Sequence, residues 1–121
     1  MMAFRHDALL AAAFVLTSLA GSEWAPFGGG DQFIQFGAEG KVSGHSGCNR
    51  YFGPYQLSGR RLRLGPLAST KMSCDAERNA LEQRWFRTLD RTRYYEATHT
   101  LLILKDGHRR VIAKLRRRAA D

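Results

Sequence analysis

Ala76-Glu77-Arg78-Asn79-Ala80-Leu81-Glu82-Gln83-Arg84-Trp85-Phe86-Arg87-Thr88-Leu89-Asp90-Arg91 is the stretch in which the hydrophobic period of this chain changes. Leu81, Trp85 and Leu89 recur at intervals of four with Phe86 beside them, the spacing of one face of an amphipathic helix. Asp75 or Ser73 can cap its start by accepting hydrogen bonds from the free amides of the first turn, so Cys74 lies at the helix entrance.

On both sides of this helix the period falls to that of strands. Upstream, Gln32 to Phe36, a strand that includes Val42, Arg50 to Phe52, Tyr55 to Leu57 and Arg61 to Leu64 are separated by Ala38-Glu39-Gly40, Gly53-Pro54 and Ser58-Gly59. In the last strand Leu62 and Leu64 alternate with Arg61 and Arg63, which gives one buried and one wet face. Downstream, Tyr94-Tyr95, Leu101 to Leu104 and Val111 to Leu115 return to strand, and Asp106-Gly107 signals a tight hairpin between the last two. Gly28-Gly29-Gly30 is a loop; no lysine follows it as a phosphate cradle would require. Strands, one helix and more strands, without regular βα alternation, predict an α+β domain: a small antiparallel β-sheet or partly open β-barrel with one amphipathic helix.

The chain has 121 residues, enough for one domain. Residues 1–20 read as an export signal: Arg5 near the amino terminus, an apolar run from Ala8 to Leu16 too short to span a bilayer, and the small-x-small pattern Ser18-Leu19-Ala20. Cleavage there makes Gly21 the first mature residue and delimits a domain over 21–115 and a basic tail over 116–121. An uncleaved N-terminal anchor is the alternative. Leu19-Ala20-Gly21-Ser22 has serine where a lipoprotein box needs its acylated cysteine, so a periplasmic or secreted product without lipid is expected.

Export gives the two cysteines their meaning, because oxidising compartments convert an even count into disulfides. Cys48 and Cys74 allow one connectivity. Closing that loop stabilises a fold by about 3 to 4 kcal/mol in the chain-entropy account. A catalytic or redox thiol at Cys48, beside His45 and Asn49, is the alternative.

Two segments carry a family resemblance. They are Gly44-His45-Ser46-Gly47-Cys48-Asn49-Arg50-Tyr51-Phe52-Gly53 and Leu64-Gly65-Pro66-Leu67-Ala68-Ser69-Thr70-Lys71-Met72-Ser73-Cys74. Together with a helix carrying Glu82 and a closing strand pair around Asp106-Gly107, they resemble the META domain, the HslJ-type heat-shock family of bacterial envelope proteins. The resemblance covers nearly all of the chain after the signal. It implies a compact β-rich domain with one helix, a link to heat shock and antibiotic tolerance, no catalytic activity, and motif positions at Gly47, Asn49, Arg50, Tyr51, Thr70, Met72 and Glu82. The chain departs from the family pattern at Lys71, where arginine is usual, at Ser73, where alanine is usual, and in a short stretch between Trp24 and Asp31 that puts the strand count there in question.

Glu82 falls on the helix wheel between Leu81, Trp85, Phe86 and Leu89. Glutamates are seldom buried, so a rim position reaching solvent is expected; a carboxylate turned to the sheet would need Arg50, Lys71 or Asn49 as partner. His45, His99 and His108 sit in separate turns without paired spacing, and neither metal nor other cofactor is expected.

The formal net charge is +8, unchanged on removing the signal because Arg5 and Asp7 cancel. The basic excess concentrates in Arg109, Arg110, Lys114, Arg116, Arg117 and Arg118. Such a run is most often a solubilising tail; as a docking site it would suit an anionic lipid or lipopolysaccharide surface. Tyr51, Phe52 and Tyr55 near Arg50, Arg60, Arg61 and Arg63 have the composition of a stacking surface for nucleic acid, but cross-strand packing accounts for them and export disfavours that partner. The expected product is a monomeric, noncatalytic accessory protein of the envelope with an unidentified envelope component as partner.

Overall fold

A computed structural model of the chain describes residues 19–118. Its elements are β1 (Glu23–Pro26), β2 (Phe33–Phe36), β3 (Lys41–His45), β4 (Arg50–Ser58), β5 (Arg61–Leu64), β6 (Ala68–Ser69), α1 (Ala76–Arg91), β7 (Tyr94–Ala97), β8 (Leu101–Lys105) and β9 (Val111–Arg118). They form one nine-stranded antiparallel sheet, in the order β3-β2-β1-β9-β8-β7-β5-β4-β6, with β3 also paired to β4. The β-rich α+β class, with one helix among the described residues, is as expected.

Alternation builds the core. Ile34 and Phe36 on β2, Leu62 and Leu64 on β5, and Leu102 and Leu104 on β8 all turn to the same interior, which α1 closes with Trp85 and Leu89. Helix α1 has the predicted extent, and Asp75 is its cap, its carboxylate accepting from the Arg78 amide at 2.8 Å.

Three boundaries differ from expectation, and the strand count left in question near Trp24 is resolved. The stretch before the triple glycine is a strand: β1 inserts between β2 and β9, and Trp24 on it is fully buried, its Nε1 donating to Ser22 Oγ at 2.6 Å. Gly53-Pro54 does not break β4. Pro54 is the last residue of β4 to pair with β3, and Tyr55 is the first to pair with β5, so the missing amide falls where the ladder changes partner. Gly53 remains obligatory there, because a Cβ would lie 2.6 Å from the Pro66 carbonyl oxygen.

The β8–β9 connection spans five residues, 106–110, rather than a two-residue hairpin. The Asp106 carboxylate accepts from the amides of His108 at 2.9 Å and Arg110 at 3.0 Å, and Arg109, not glycine, takes the left-handed conformation at φ 62°. Finally, the tail expected from residue 116 is strand through Arg118, because Arg116, Arg117 and Arg118 pair with Ala25, Trp24 and Glu23.

The export-signal reading falls on residues 1–20, of which 1–18 lie outside the described residues, as do Ala119, Ala120 and Asp121. Leu19 is fully buried in the core, and its carbonyl accepts from the Ser22 amide at 3.1 Å and from the Ser22 hydroxyl. A core residue thus lies on the N-terminal side of the expected boundary after Ala20.

Candidate functional site

The motif residues converge where the β3–β4 turn, the segment leading into α1 and the first turns of α1 meet. The turn is made by Ser46, Gly47, Cys48 and Asn49. Ser46 Oγ accepts from the Cys48 amide at 3.2 Å and the Asn49 amide at 2.9 Å, the Ser46 amide donates to the Asn49 carbonyl at 2.8 Å, and Gly47 supplies φ 104°. Gln32 Nε2 ties this turn to the helix, donating to the carbonyls of Ser46 at 2.7 Å and Leu81 at 3.2 Å.

Asn49 is buried and uses its full hydrogen-bonding capacity. Its Nδ2 donates to Glu82 Oε1 at 2.9 Å and to the Met72 carbonyl at 3.0 Å; its Oδ1 accepts from Thr70 Oγ1 at 2.9 Å and from the Met72 amide at 2.7 Å. Glu82 turns toward the sheet rather than to the rim, accepting from Ser46 Oγ at 2.6 Å as well as from Asn49. Of the three candidate partners only Asn49 is used; Arg50 and Lys71 are exposed and make no ion pair with it. Neutral donors suffice here because two hydrogen bonds satisfy one oxygen while the half-buried carboxylate keeps access to water.

Cys48 and Cys74 form a disulfide with Cα atoms 6.0 Å apart, and no free cysteine remains. It locks the turn to the entrance of α1, where Asn79 fixes Cys74 from both sides: Oδ1 accepts from the Cys74 amide and Nδ2 donates to its carbonyl, each at 3.1 Å. With its sulfur in this bond, Cys48 offers no thiolate. Thr70, beyond its bond to Asn49, accepts from the Arg50 amide at 3.2 Å and so seats β6 against β4.

Tyr51 extends the network into the core. Its hydroxyl donates to the Phe33 carbonyl at 2.7 Å and accepts from Trp85 Nε1 at 3.1 Å, and burial raises its phenol well above the ordinary tyrosine range. Gly44 makes room for it: a Cβ there would stand 2.1 Å from the Phe33 carbonyl oxygen and 2.6 Å from the Tyr51 hydroxyl. The arrangement holds two loops, a strand and a helix together through the side chains of Ser46, Asn49, Thr70, Asn79 and Tyr51 and through one oxygen of Glu82.

The basic cluster is divided by the fold. Arg110 pairs with Asp106 at 3.3 Å and Arg118 with Glu23 at 2.9 Å, while the guanidiniums of Arg109, Arg117 and Arg118 stand 4.9, 5.7 and 5.0 Å from the rings of Tyr94, Trp24 and Phe33. Lys114 and Arg116 are exposed on β9 and have no carboxylate partner among the described residues. Among the described residues no three His, Cys, Asp or Glu side chains come together, and no helix is long and apolar enough to cross a membrane.

Sequence reasoning placed the two cysteines together and missed the fourfold use of Asn49. The signal available was the side chain itself, since an asparagine held at a turn between two cysteine-bearing loops has donors and acceptors for both.

The sequence pattern of the META domain matches residues 7–119. The chain belongs to the META domain family. Among solved structures, this META domain resembles a protein from Burkholderia xenovorans determined by NMR, at 22% identity and a TM-score of 0.66, covering 86% of each chain. A second protein determined by NMR is 23% identical with a TM-score of 0.63, over 87% of this chain and 94% of the other. A DUF4847 family protein from Bacteroides vulgatus is 18% identical with a TM-score of 0.53, over 75% of this chain and 62% of the other. These likenesses concern the fold. No curated protein matches the chain.

Proposed function

We propose that this META domain protein is a noncatalytic accessory protein of the cell envelope, linked to stress or antibiotic tolerance, that binds or buffers an envelope component after export to the periplasm or the exterior. The observation that carries this reading is the structural use of the motif's centre: the Cys48 sulfur is in a disulfide, and Ser46 and Asn49 are hydrogen-bonded to the same Glu82 oxygen. A motif spent on holding a scaffold leaves function to the surface, where a net charge of +8 favours anionic partners. On β9, Lys114 and Arg116 are exposed and have no carboxylate partner among the described residues, and they suit an anionic lipid or lipopolysaccharide surface as neighbours of a monomer.

Cell fractionation followed by thiol alkylation of the non-reduced protein tests the reading. A protein released with the periplasmic or external fraction and carrying no modifiable thiol supports it. A cytoplasmic protein whose Cys48 is alkylated overturns it in favour of a thiol-dependent activity. Co-sedimentation with phosphatidylglycerol vesicles, wild type against Lys114→Gln/Arg116→Gln, tests the surface contact. Salt-sensitive pelleting that the substitutions weaken is expected, and equal pelleting removes β9 from the account.

A further inference from the structure

Strands β5 and β7 share a single residue pair, Arg61 with Tyr94, before they diverge. The divergence opens a cleft of about 490 Å³ on the outer face of the sheet, lined by Gln56, Ser58, Arg61, Arg63, Arg93 and Tyr94. The register explains the gathering: Gln56 stands opposite Arg63 and Ser58 opposite Arg61 on the β4–β5 ladder, so all four side chains share one face, and the Arg61–Tyr94 pair carries that face across to β7.

The charge in this cleft is one-sided. No carboxylate lines it, and Arg61, Arg63 and Arg93 form no ion pair among the described residues. The carboxylate nearest in sequence to the lining Gly107, that of Asp106, is buried and committed to Arg110, Arg91 and two backbone amides. Arg93 is also held in place: its Nη1 donates to the carbonyls of Asp90 and Thr92, each at 2.8 Å, at the end of α1. Arg109, stacked on Tyr94, adds a fourth cation at the edge. Like charges gathered without counter-ions repel one another, and a bound anion relieves that repulsion.

We propose that this cleft is a binding site for a phosphoryl group. Planar guanidinium forks match tetrahedral oxyanions through paired hydrogen bonds, Gln56 and Ser58 supply neutral donors, and Tyr94 supplies a wall for the ring or glycerol part of the ligand. The volume suits a small phosphorylated compound or a single phospholipid headgroup. The site is separate from the motif network and from Lys114 and Arg116, and it stands whether or not the protein acts in the envelope.

The test titrates the isotopically labelled full chain with inorganic pyrophosphate at constant ionic strength, and in parallel measures binding to phosphatidylglycerol vesicles, for wild type and for Arg61→Gln/Arg63→Gln. Both substituted side chains are exposed, so the fold is retained. Saturable amide shifts at residues 61–63, 93, 94 and 107, weakened at least about tenfold in the double variant, establish a site for free phosphorylated compounds. Vesicle binding weakened by the same variant, without response to pyrophosphate, assigns the site to a lipid headgroup. If the double variant matches wild type in both arms, or if the shifts spread evenly over β9, the proposal is overturned.

Discussion

Asn49 Nδ2 donates to Glu82 Oε1 at 2.9 Å, across a sequence separation of 33 residues. The turn between two strands and the face of the only helix of the described domain are thus joined by a buried amide. Asn49→Ala removes every partner that Glu82, Thr70 and Met72 find in that side chain, and is expected to destabilise the fold by about 3 kcal/mol. Glu82→Gln keeps a carbonyl acceptor for Asn49 and Ser46 and is expected to cost about 1 kcal/mol. Urea midpoints of the two variants measure the difference; equal losses would mean that the carboxylate charge, not the hydrogen-bond geometry, sustains the tether.

Gly44→Ala is expected to be among the most damaging single-methyl additions in the domain. The new Cβ meets the Phe33 carbonyl oxygen at 2.1 Å, a backbone atom fixed in the β2–β3 ladder, and the Tyr51 hydroxyl at 2.6 Å. A loss of about 3 kcal/mol or more, with near-ultraviolet circular dichroism altered as Trp85 loses its hydrogen bond to Tyr51, is the expected outcome. A variant as stable as wild type would show that β2 and β3 are not held at this spacing.

Acid stability has an identifiable contributor in Asp106. The Arg110 amide, with the His108 amide and the Arg110 guanidinium, holds its carboxyl below the usual carboxylate range. Folding is therefore favoured by this group above the unfolded carboxyl value of about 3.9, and that contribution disappears as pH falls through the lower folded value. Asp106→Asn is expected to lower stability at neutral pH and to flatten its fall between about pH 4 and the folded value. Denaturation midpoints across that range, parallel in the two proteins, would contradict the assignment.

Leu19 fills the core although it lies within the segment expected to be removed on export. Leu19→Ala is expected to destabilise the full chain by about 2 to 5 kcal/mol, and a chain beginning at Gly21 to lose at least as much as against one that begins at Leu19. Chemical denaturation of the two truncated chains decides this, and unchanged stability would show that the core closes without the leucine.

What the sequence determined by itself was local or had a single solution. The extent of α1 follows from a period written into sixteen consecutive residues, the Asp75 cap from one side chain beside the first turn, and the inward face of β5 from simple alternation. The disulfide was legible because two cysteines allow one pairing. Tertiary structure decided everything that depends on which strand lies beside which. Pro54 is tolerated because two ladders change over at its position. Arg118 belongs to a strand because β1 lies alongside it with Glu23 in reach. Glu82 faces inward because Ser46 and Asn49 arrive from another strand pair to receive it. Strand partners are chosen by the summed burial and hydrogen bonding of the whole sheet, so no window of neighbouring residues contains the information.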